Sequence, residues 1–467
     1  MIVMKFGGVS VGDAAAIRRL TEIVRERLDR HPVLVVSAMG KTTRRLLTAA
    51  AHAAEGNPES ASHLLGELQQ YHREIARQVV DGFDGTTASA QLNDFFDQIE
   101  KTIQKISDQH SVTPILIDEI AAYGELLSTT IIAATLEASG IAASWCDARK
   151  IVVTNENFTR ATPVFEITNS NFSEQVAPIV DAGRVPVIQG YIGSTRDGRT
   201  TTLGFEGSDY TAAIAAAALN AEEIQIWKDV DGLMTADPNL VSGALTVKTV
   251  SYTEAAELTH LGAKVLHPKA VQPAADRNIP IHIYNAKRKL PVGTVVNKDG
   301  LRCNNIVKSV AFKQGVVLLK IVPRSLADLA IVQRSLEALA LRGGTVYLLS
   351  GFAAGFRLAI DNEWDLNELT GDLNHLAEIE VTRNLAIVTL VGEGLLLTPV
   401  ISAIAFDTLR RSQLAFAAFG APGNSLSLVV DEREVADLVS RLHERFFHNF
   451  DPEVFVAVEP VDRFSLH

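Results

Sequence analysis

The chain has 467 residues, 47% of them hydrophobic and 21% charged, enough apolar matter for the cores of two or three domains. A formal net charge of −12 argues against nucleic acid or an anionic membrane surface as a partner, and no apolar run is long enough to cross a bilayer. The two cysteines, Cys146 and Cys303, lack metal-ligand spacing and cannot make a disulfide framework, so a reducing, cytoplasmic setting is expected.

Residues 2–6 read as a short buried strand that carries Lys5 and runs into Gly7-Gly8. The stretch VSVGDAAAIRRLTEIVRERL then has helical apolar spacing. Strand, double glycine and helix make a phosphate-cradle pattern: glycine lets the backbone approach an anion, and a helix start leaves N–H groups unpaired. The order G-x-x-x-x-G-K-[ST] is absent, so this is not a Walker A loop. A lysine inside an apolar strand needs a partner or a ligand, because burying it alone is costly.

A second strand, VLVVSAM (33–39), leads into the helix GKTTRRLLTAAAHAA, with Ser37 and Thr43 at its carboxyl rim; a helix cap is the structural alternative for Thr43. Residues 58–112 read as helical throughout and carry no chemistry. DEIAAYGELLSTTIIAATLEASG (118–140) is another helix, and Glu125 within it either pairs inside the fold or faces a ligand amine.

ASWCDARKIVVTNENF and RVPVIQGYIGST continue the alternation of strand and loop. TTTLGFEGS (200–208) then runs into the helical DYTAAIAAAALNA, which Ser208 or Asp209 can cap, giving a site for an anion or a polar small molecule. The next strand, EIQIW, ends in KDVDG, so Lys228 and Asp229 stand where open α/β sheets bind ligands. TEAAELTHLGAKVLHP (253–268) reads as a helix that meets a glycine and Lys264, and IPIHIYNAK and PVGTVV close the unit near residue 297. Such alternation implies an α/β fold with a largely parallel sheet sandwiched by helices.

After Lys298–Asn305 the rhythm changes. VKSVAFKQGVVLLKIV reads as two strands, SLADLAIVQRSLEALALRG as a helix, TVYLLS and FRLAID as strands, and LNELTGDLNHLA as a helix. LAIVTLVGEG restarts the same order, which makes a tandem of ferredoxin-like α+β modules. The expected domains are 1–297, 305–380 and 384–467, with the last strand, EVFVAV, able to complete either module.

KFGGVS (5–10), SAMGKTT (37–43), GELLS (124–128), TTTLGFEGSDYTAA (200–213), KDVDGLMTADP (228–238) and GAKVLHP (262–268) occur in one order. With the tandem modules they resemble the aspartate kinases of the amino-acid kinase family that carry two ACT domains, over essentially the whole chain. The resemblance implies transfer of the γ-phosphoryl group of Mg-ATP to the side-chain carboxylate of L-aspartate, the entry to lysine, threonine and methionine synthesis. It implies ATP and Mg²⁺ as cofactors, an amino-acid effector at the modules, and a homodimer formed through them. By the same resemblance Lys5, Gly7, Gly8 and Ser10 hold the transferring phosphates, Lys264 and Val265 sit at the nucleotide, and Asp209 orients the lysines. Lys228, Asp229, Met234 and Asn239 bound the nucleotide. Thr43 and Glu125 hold aspartate, Glu125 taking its ammonium, and Ser37, Phe205, Glu206, Gly207 and Ser208 complete the acceptor side.

Several positions depart from the family pattern. Phe205, followed by Glu206, stands where the family has an arginine that clamps a carboxylate of aspartate, and Arg149 and Arg199 are the candidate replacements. Val9 replaces a hydroxyl residue, Met234 a tyrosine and Asn239 an arginine. In the first module the glycine-containing loop is absent and Tyr347 takes the place of an aspartate, so weak or absent inhibition by lysine is expected. Two other readings stay open: a kinase for a different acidic substrate, and a catalytically weak homologue that senses an amino acid through its ACT modules.

Overall fold

The computed structural model of the chain describes every residue except Phe205, 261–265, 267, 289–291, 301–305, 325–329, 342–344, 353–354, 363–369, 372, 375–376, 421–422 and 458–467. It opens on β1 (Ile2–Phe6), a 3-10 turn (Gly8–Val11), α1 (Ala14–Arg25), β2 (Pro32–Val36) and α2 (Thr42–Ala54). Helix α1 begins later than its apolar spacing suggests. Asp13 caps it by accepting from Ala16 N at 2.7 Å, and the residues before it form the turn. The predicted single helical run from 58 is a hairpin, α3 (Pro58–Val79) and α4 (Thr87–Gln109), broken where Gly82 takes a φ of 67°. Helix α5 (Pro114–Ala138) is capped by Thr113 and buried on nearly every side, which makes it the central helix of the domain.

The strands β3 (Ala143–Cys146) and β4 (Val153–Thr154) follow. Helix α6 (Phe165–Asn171) passes through a π turn into α7 (Ala177–Asp181). Then come β5 (Val185–Gln189), β6 (Ile192–Thr195), β7 (Thr200–Thr202), the alanine-rich α8 (Gly207–Leu219) and β8 (Glu223–Lys228). The unit continues through β9 (Thr246–Val247), β10 (Thr249–Ser251), α9 (Tyr252–His260), α10 (Pro268–Asp276), β11 (Ile281–Asn285) and β12 (Gly293–Asn297). The helix expected over 253–268 is described only as far as His260.

Eight strands form one sheet in the order β10-β12-β11-β8-β1-β2-β5-β3, parallel except between β11 and β12. Strands β1, β2 and β5 are buried at every residue, as expected for a sheet covered on both faces. The chain winds away from β1 on one side through β2, and on the other through β8. That reversal puts a crevice at the carboxyl ends of β1, β2 and β8, where Gly7, Ser37 and Lys228 emerge.

The C-terminal part comprises β13 (Ser309–Pro323), α11 (Ala330–Leu341), β14 (Val346–Phe352), β15 (Gly355–Asp361), β16 (Ala377–Val391), α12 (Pro399–Thr408), β17 (Leu414–Phe419), β18 (Ser425–Asp431) and α13 (Val435–Phe447). The six strands form one antiparallel sheet, β14-β15-β13-β16-β18-β17. Two strands were expected over VKSVAFKQGVVLLKIV. One 15-residue strand is found, bent by a register shift between Lys313 and Val316 where Gly315 has a φ of 69°. The predicted helix LNELTGDLNHLA lies mostly outside the described residues. The last described strand, β19 (Phe455–Val456), was expected to complete a C-terminal module. It pairs antiparallel with β9, and Lys248 N donates to Val454 O, so the last described residues pair outside the C-terminal sheet.

Candidate active site

Three glycine-dependent approaches shape the crevice. A Cβ on Gly8 would lie 2.8 Å from Ala38 O, so the turn after β1 rests directly on the turn after β2. A Cβ on Gly190 would lie 2.5 Å from Ser208 Cβ, which lets the start of α8 reach the same place. A Cβ on Gly124 would lie 2.7 Å from Thr43 Oγ1 and 2.8 Å from Ala38 Cβ, so α5 presses its backbone against the loop after β2. The resulting cleft of about 240 Å³ is lined by Lys5, Gly7, Gly8, Val9, Ser10, Ser37, Glu206, Ser208, Lys228 and Asp229.

At the floor of the cleft lies one buried carboxylate between two ammonium groups. Lys5 Nζ is 2.5 Å from Asp209 Oδ1, and Lys228 Nζ is 3.0 Å from Asp209 Oδ2. Asp209 belongs to the first turn of α8, where a negative charge is also favoured by the helix dipole. Burial alone would raise the Asp209 pKa, but the two lysines hold it below the usual carboxylate range. Burial pulls Lys5 below the usual lysine range against the attraction of Asp209. For Lys228 burial acts the same way but is overcome by Asp209 and Glu206, and its pKa is raised. Glu206 lies 3.9 Å from Lys228, and burial pushes its carboxyl up.

Neither Ser208 nor Asp209 caps α8. Glu206 holds the N-cap position in the left-handed region, at a φ of 53°, without a side-chain cap bond. That leaves the Asp209 carboxylate to the lysines. Ser10 lines the cleft, but its hydroxyl donates to Trp227 O at 3.1 Å, and Gly7 N donates to the same carbonyl at 3.1 Å. These bonds tie the turn after β1 to β8.

The acceptor-side candidates meet next to Ser37. Ala38 N donates to Glu125 Oε1 at 3.1 Å, whereas Glu125 Oε2 is buried with no hydrogen-bond partner among the described residues. Burial pushes the Glu125 carboxyl up to about 8. One oxygen therefore pairs inside the fold, as one of the two expectations had it, and the other has no partner among the described residues. Thr43 lies in the first turn of α2 and is no cap; the N-cap position belongs to Lys41. Gly207 packs on Tyr191, 2.9 Å from ring to a built Cβ.

Other expected positions are not brought to the cleft. Met234 packs against the core, and its carbonyl accepts from Ser309 Oγ at 2.7 Å. Asn239 is exposed, and its amide donates to Asp237 at 2.8 Å. Arg149 pairs with Asp147 at 2.8 Å, Arg199 pairs with Asp197 and Glu156 at 2.8 Å each, and neither lines the cleft. Phe205, Lys264 and Val265 lie outside the described residues.

Four residues escaped the sequence reading. Arg19 and Lys287 line a small recess continuous with the cleft, beside Ser10, Lys228 and Asp229. Tyr191 holds a φ of 71°, strained for a bulky residue, and burial pushes its phenol up to about 12. Asp118 is fully buried and accepts from Thr159 N, Thr202 N and Thr202 Oγ1 at 2.8, 3.0 and 2.6 Å. It fixes the strand that leads into Gly204. Only Asp118, an acid in an apolar helix, left a trace in the sequence.

The amino acid kinase family model matches residues 1–285. The lysine-sensitive aspartokinase 3 of Escherichia coli K12 is 30% identical, over 96% of this chain and 99% of the relative. The solved structure of E. coli aspartokinase III in complex with aspartate and ADP, the R-state, superposes with a TM-score of 0.86 at 29% identity, covering 96% of this chain and 100% of that one. The same enzyme with lysine and aspartate, the T-state, gives a TM-score of 0.76 at 30% identity, covering 96% and 99%.

Proposed function

The chain belongs to the amino acid kinase family, and from that premise we infer that it is an aspartate kinase, which transfers the γ-phosphoryl group of ATP to the side-chain carboxylate of L-aspartate. The observation that carries this reading is the convergence of Lys5 and Lys228 on buried Asp209 beside a glycine turn. Phosphoryl transfer needs positioning and charge neutralisation more than covalent help. Two ammonium groups from adjacent strands offset the charge that spreads over the γ-phosphoryl oxygens, and Asp209 keeps them aimed. Mg²⁺, entering with the nucleotide as part of the substrate, would add to the charge neutralisation that the lysines supply. Gly7 and Gly8 line the cleft and let the phosphates approach the backbone closely, and Arg19 and Lys287 extend the positive rim. Lys264, outside the described residues, keeps the role that the resemblance implies, close to the β- and γ-phosphates.

On the acceptor side, Glu125 Oε2 takes the substrate ammonium; Thr43 packs against the neighbouring Gly124, and Ser37 and Ser208 line the cleft. No general base is needed, because the aspartate carboxylate is already ionised at neutral pH. We keep the division into a catalytic domain over 1–297 and two ACT-like modules, and a homodimer formed through the modules. A second reading rests on Phe205 and on the Glu206 carboxylate in the cleft: the acceptor is a different acid. Hydroxamate trapping of the acyl phosphate, with ATP and a panel of acids, tests both. Hydroxamate from aspartate alone is the expected result, and none from aspartate with a signal from another acid overturns the first reading in favour of the second.

A further inference from the structure

The helical hairpin α3–α4 carries no cleft-lining residue among those described, yet α3 touches both loops that shape the cleft. The Tyr71 hydroxyl donates to Gly12 O at 2.6 Å, at the end of the turn that follows Gly8. A Cβ on Gly40, which has a φ of 54°, would lie 3.1 Å from that same hydroxyl. Gly40 N in turn donates to Gly8 O at 3.0 Å, and the built Cβ of Gly12 lies 3.7 Å from Gly40 Cα. One phenol therefore seats the phosphate turn and the acceptor loop on each other. The next residue adds to the seat. His72 is fully buried, with Nδ1 2.7 Å from Leu68 O and Nε2 3.4 Å from Thr42 Oγ1, and burial lowers its pKa to about 4. An ion pair between Arg45 of α2 and Glu67 of α3 closes the contact from the solvent side.

We propose that Tyr71 is a positioning residue for the nucleotide: its hydroxyl holds the Gly8–Gly12 turn in the shape that receives phosphate, against the loop that presents Thr43. The inference rests on the nucleotide-binding part of the reading above and is indifferent to which acid accepts the phosphoryl group. Tyr71 does not line the cleft, so its effect is on geometry and not on charge. The hydroxyl's hydrogen-bond partner is the Gly12 carbonyl, at the far end of the turn from the Gly7 and Ser10 bonds to Trp227, so losing it loosens that end selectively.

The test compares the full-length chain with Tyr71→Phe, which removes only the oxygen, and with Ile75→Val, which trims buried packing one turn further along α3. Affinity for MgADP is measured by titration calorimetry, and exchange of the amides of residues 8–12 by hydrogen-exchange mass spectrometry. Tyr71→Phe should weaken MgADP roughly 3- to 10-fold, as for loss of one neutral hydrogen bond. It should speed exchange over residues 8–12 but not over α1. Ile75→Val should change neither by more than about 1.5-fold, even at an equal loss of melting temperature. Unchanged affinity and exchange in Tyr71→Phe, or equal changes in both variants, would overturn the proposal. If the parent chain binds MgADP but phosphorylates no acid, the kinase reading fails while this comparison still stands; if it binds no MgADP, the proposal fails with the nucleotide-binding reading.

Discussion

Glu125 has a single internal hydrogen bond, and the cost of that arrangement is measurable. Its carboxyl is raised by burial to about 8, whereas in the unfolded chain it titrates near the ordinary 4.5. Between those values the folded state holds a proton that the unfolded state has released, so stability falls as pH rises through this window and levels off above the folded value. Each pH unit in the window costs about 1.4 kcal/mol, so Glu125→Gln should stabilise the free protein by about 3 kcal/mol at neutral pH and by almost nothing near pH 4.5. Urea unfolding of both forms across this range checks it; a difference independent of pH would refute the assigned burial. An ammonium ligand reverses the balance, because it favours the ionised carboxylate. The aspartate KM of the parent chain should accordingly fall as pH rises towards about 8, and that of Glu125→Gln should be high throughout.

Helices and strands explain which parts of this site could be read in advance. Strand β1, the Gly-Gly turn and the rim of β8 are local patterns, and Lys5, Gly7, Gly8, Lys228 and Asp229 were legible because each follows directly from a strand's end. The convergence of Lys5 and Lys228 on Asp209 was not legible, since it depends on β1 and β8 being neighbours although their paired members Ile2 and Glu223 lie 221 positions apart in the chain. Helix α3 looked inert because its role is a single hydroxyl on a distant carbonyl. The stretch read as two strands is one bent strand, β13, because Gly315 lets the backbone turn within the ladder without ending it. In the first module, β14 and β15 bring Tyr347 to Asp361, and the phenol donates to its carboxylate at 2.7 Å, with Lys313 Nζ 3.4 Å from the same oxygen. Side chains of the chain itself thus occupy this acidic group. Lysine at sub-millimolar concentration should leave ATP consumption within about 1.5-fold of its uninhibited rate; strong inhibition there would contradict the inference.

The molecule as a whole joins two sheets of different logic. The parallel sheet opens a crevice at the point where its winding reverses, and the antiparallel sheet ties both C-terminal modules into one body through the long β13 and β16. They meet at buried groups. Lys308, at the entrance to β13, pairs with Glu254 of α9 at 2.9 Å, and Glu254 also accepts from Glu393 N at 3.0 Å. With a net charge of −12, the chain must gather its cations locally to hold a nucleotide, and it does so at Asp209. The most direct measurement is kcat for aspartyl phosphate formation by Lys5→Ala and Lys228→Ala, each shown to be folded by its melting curve. Both should fall at least ~10²-fold, because each loses an ammonium group that acts on the transferring phosphoryl. Full turnover in either variant would contradict the account.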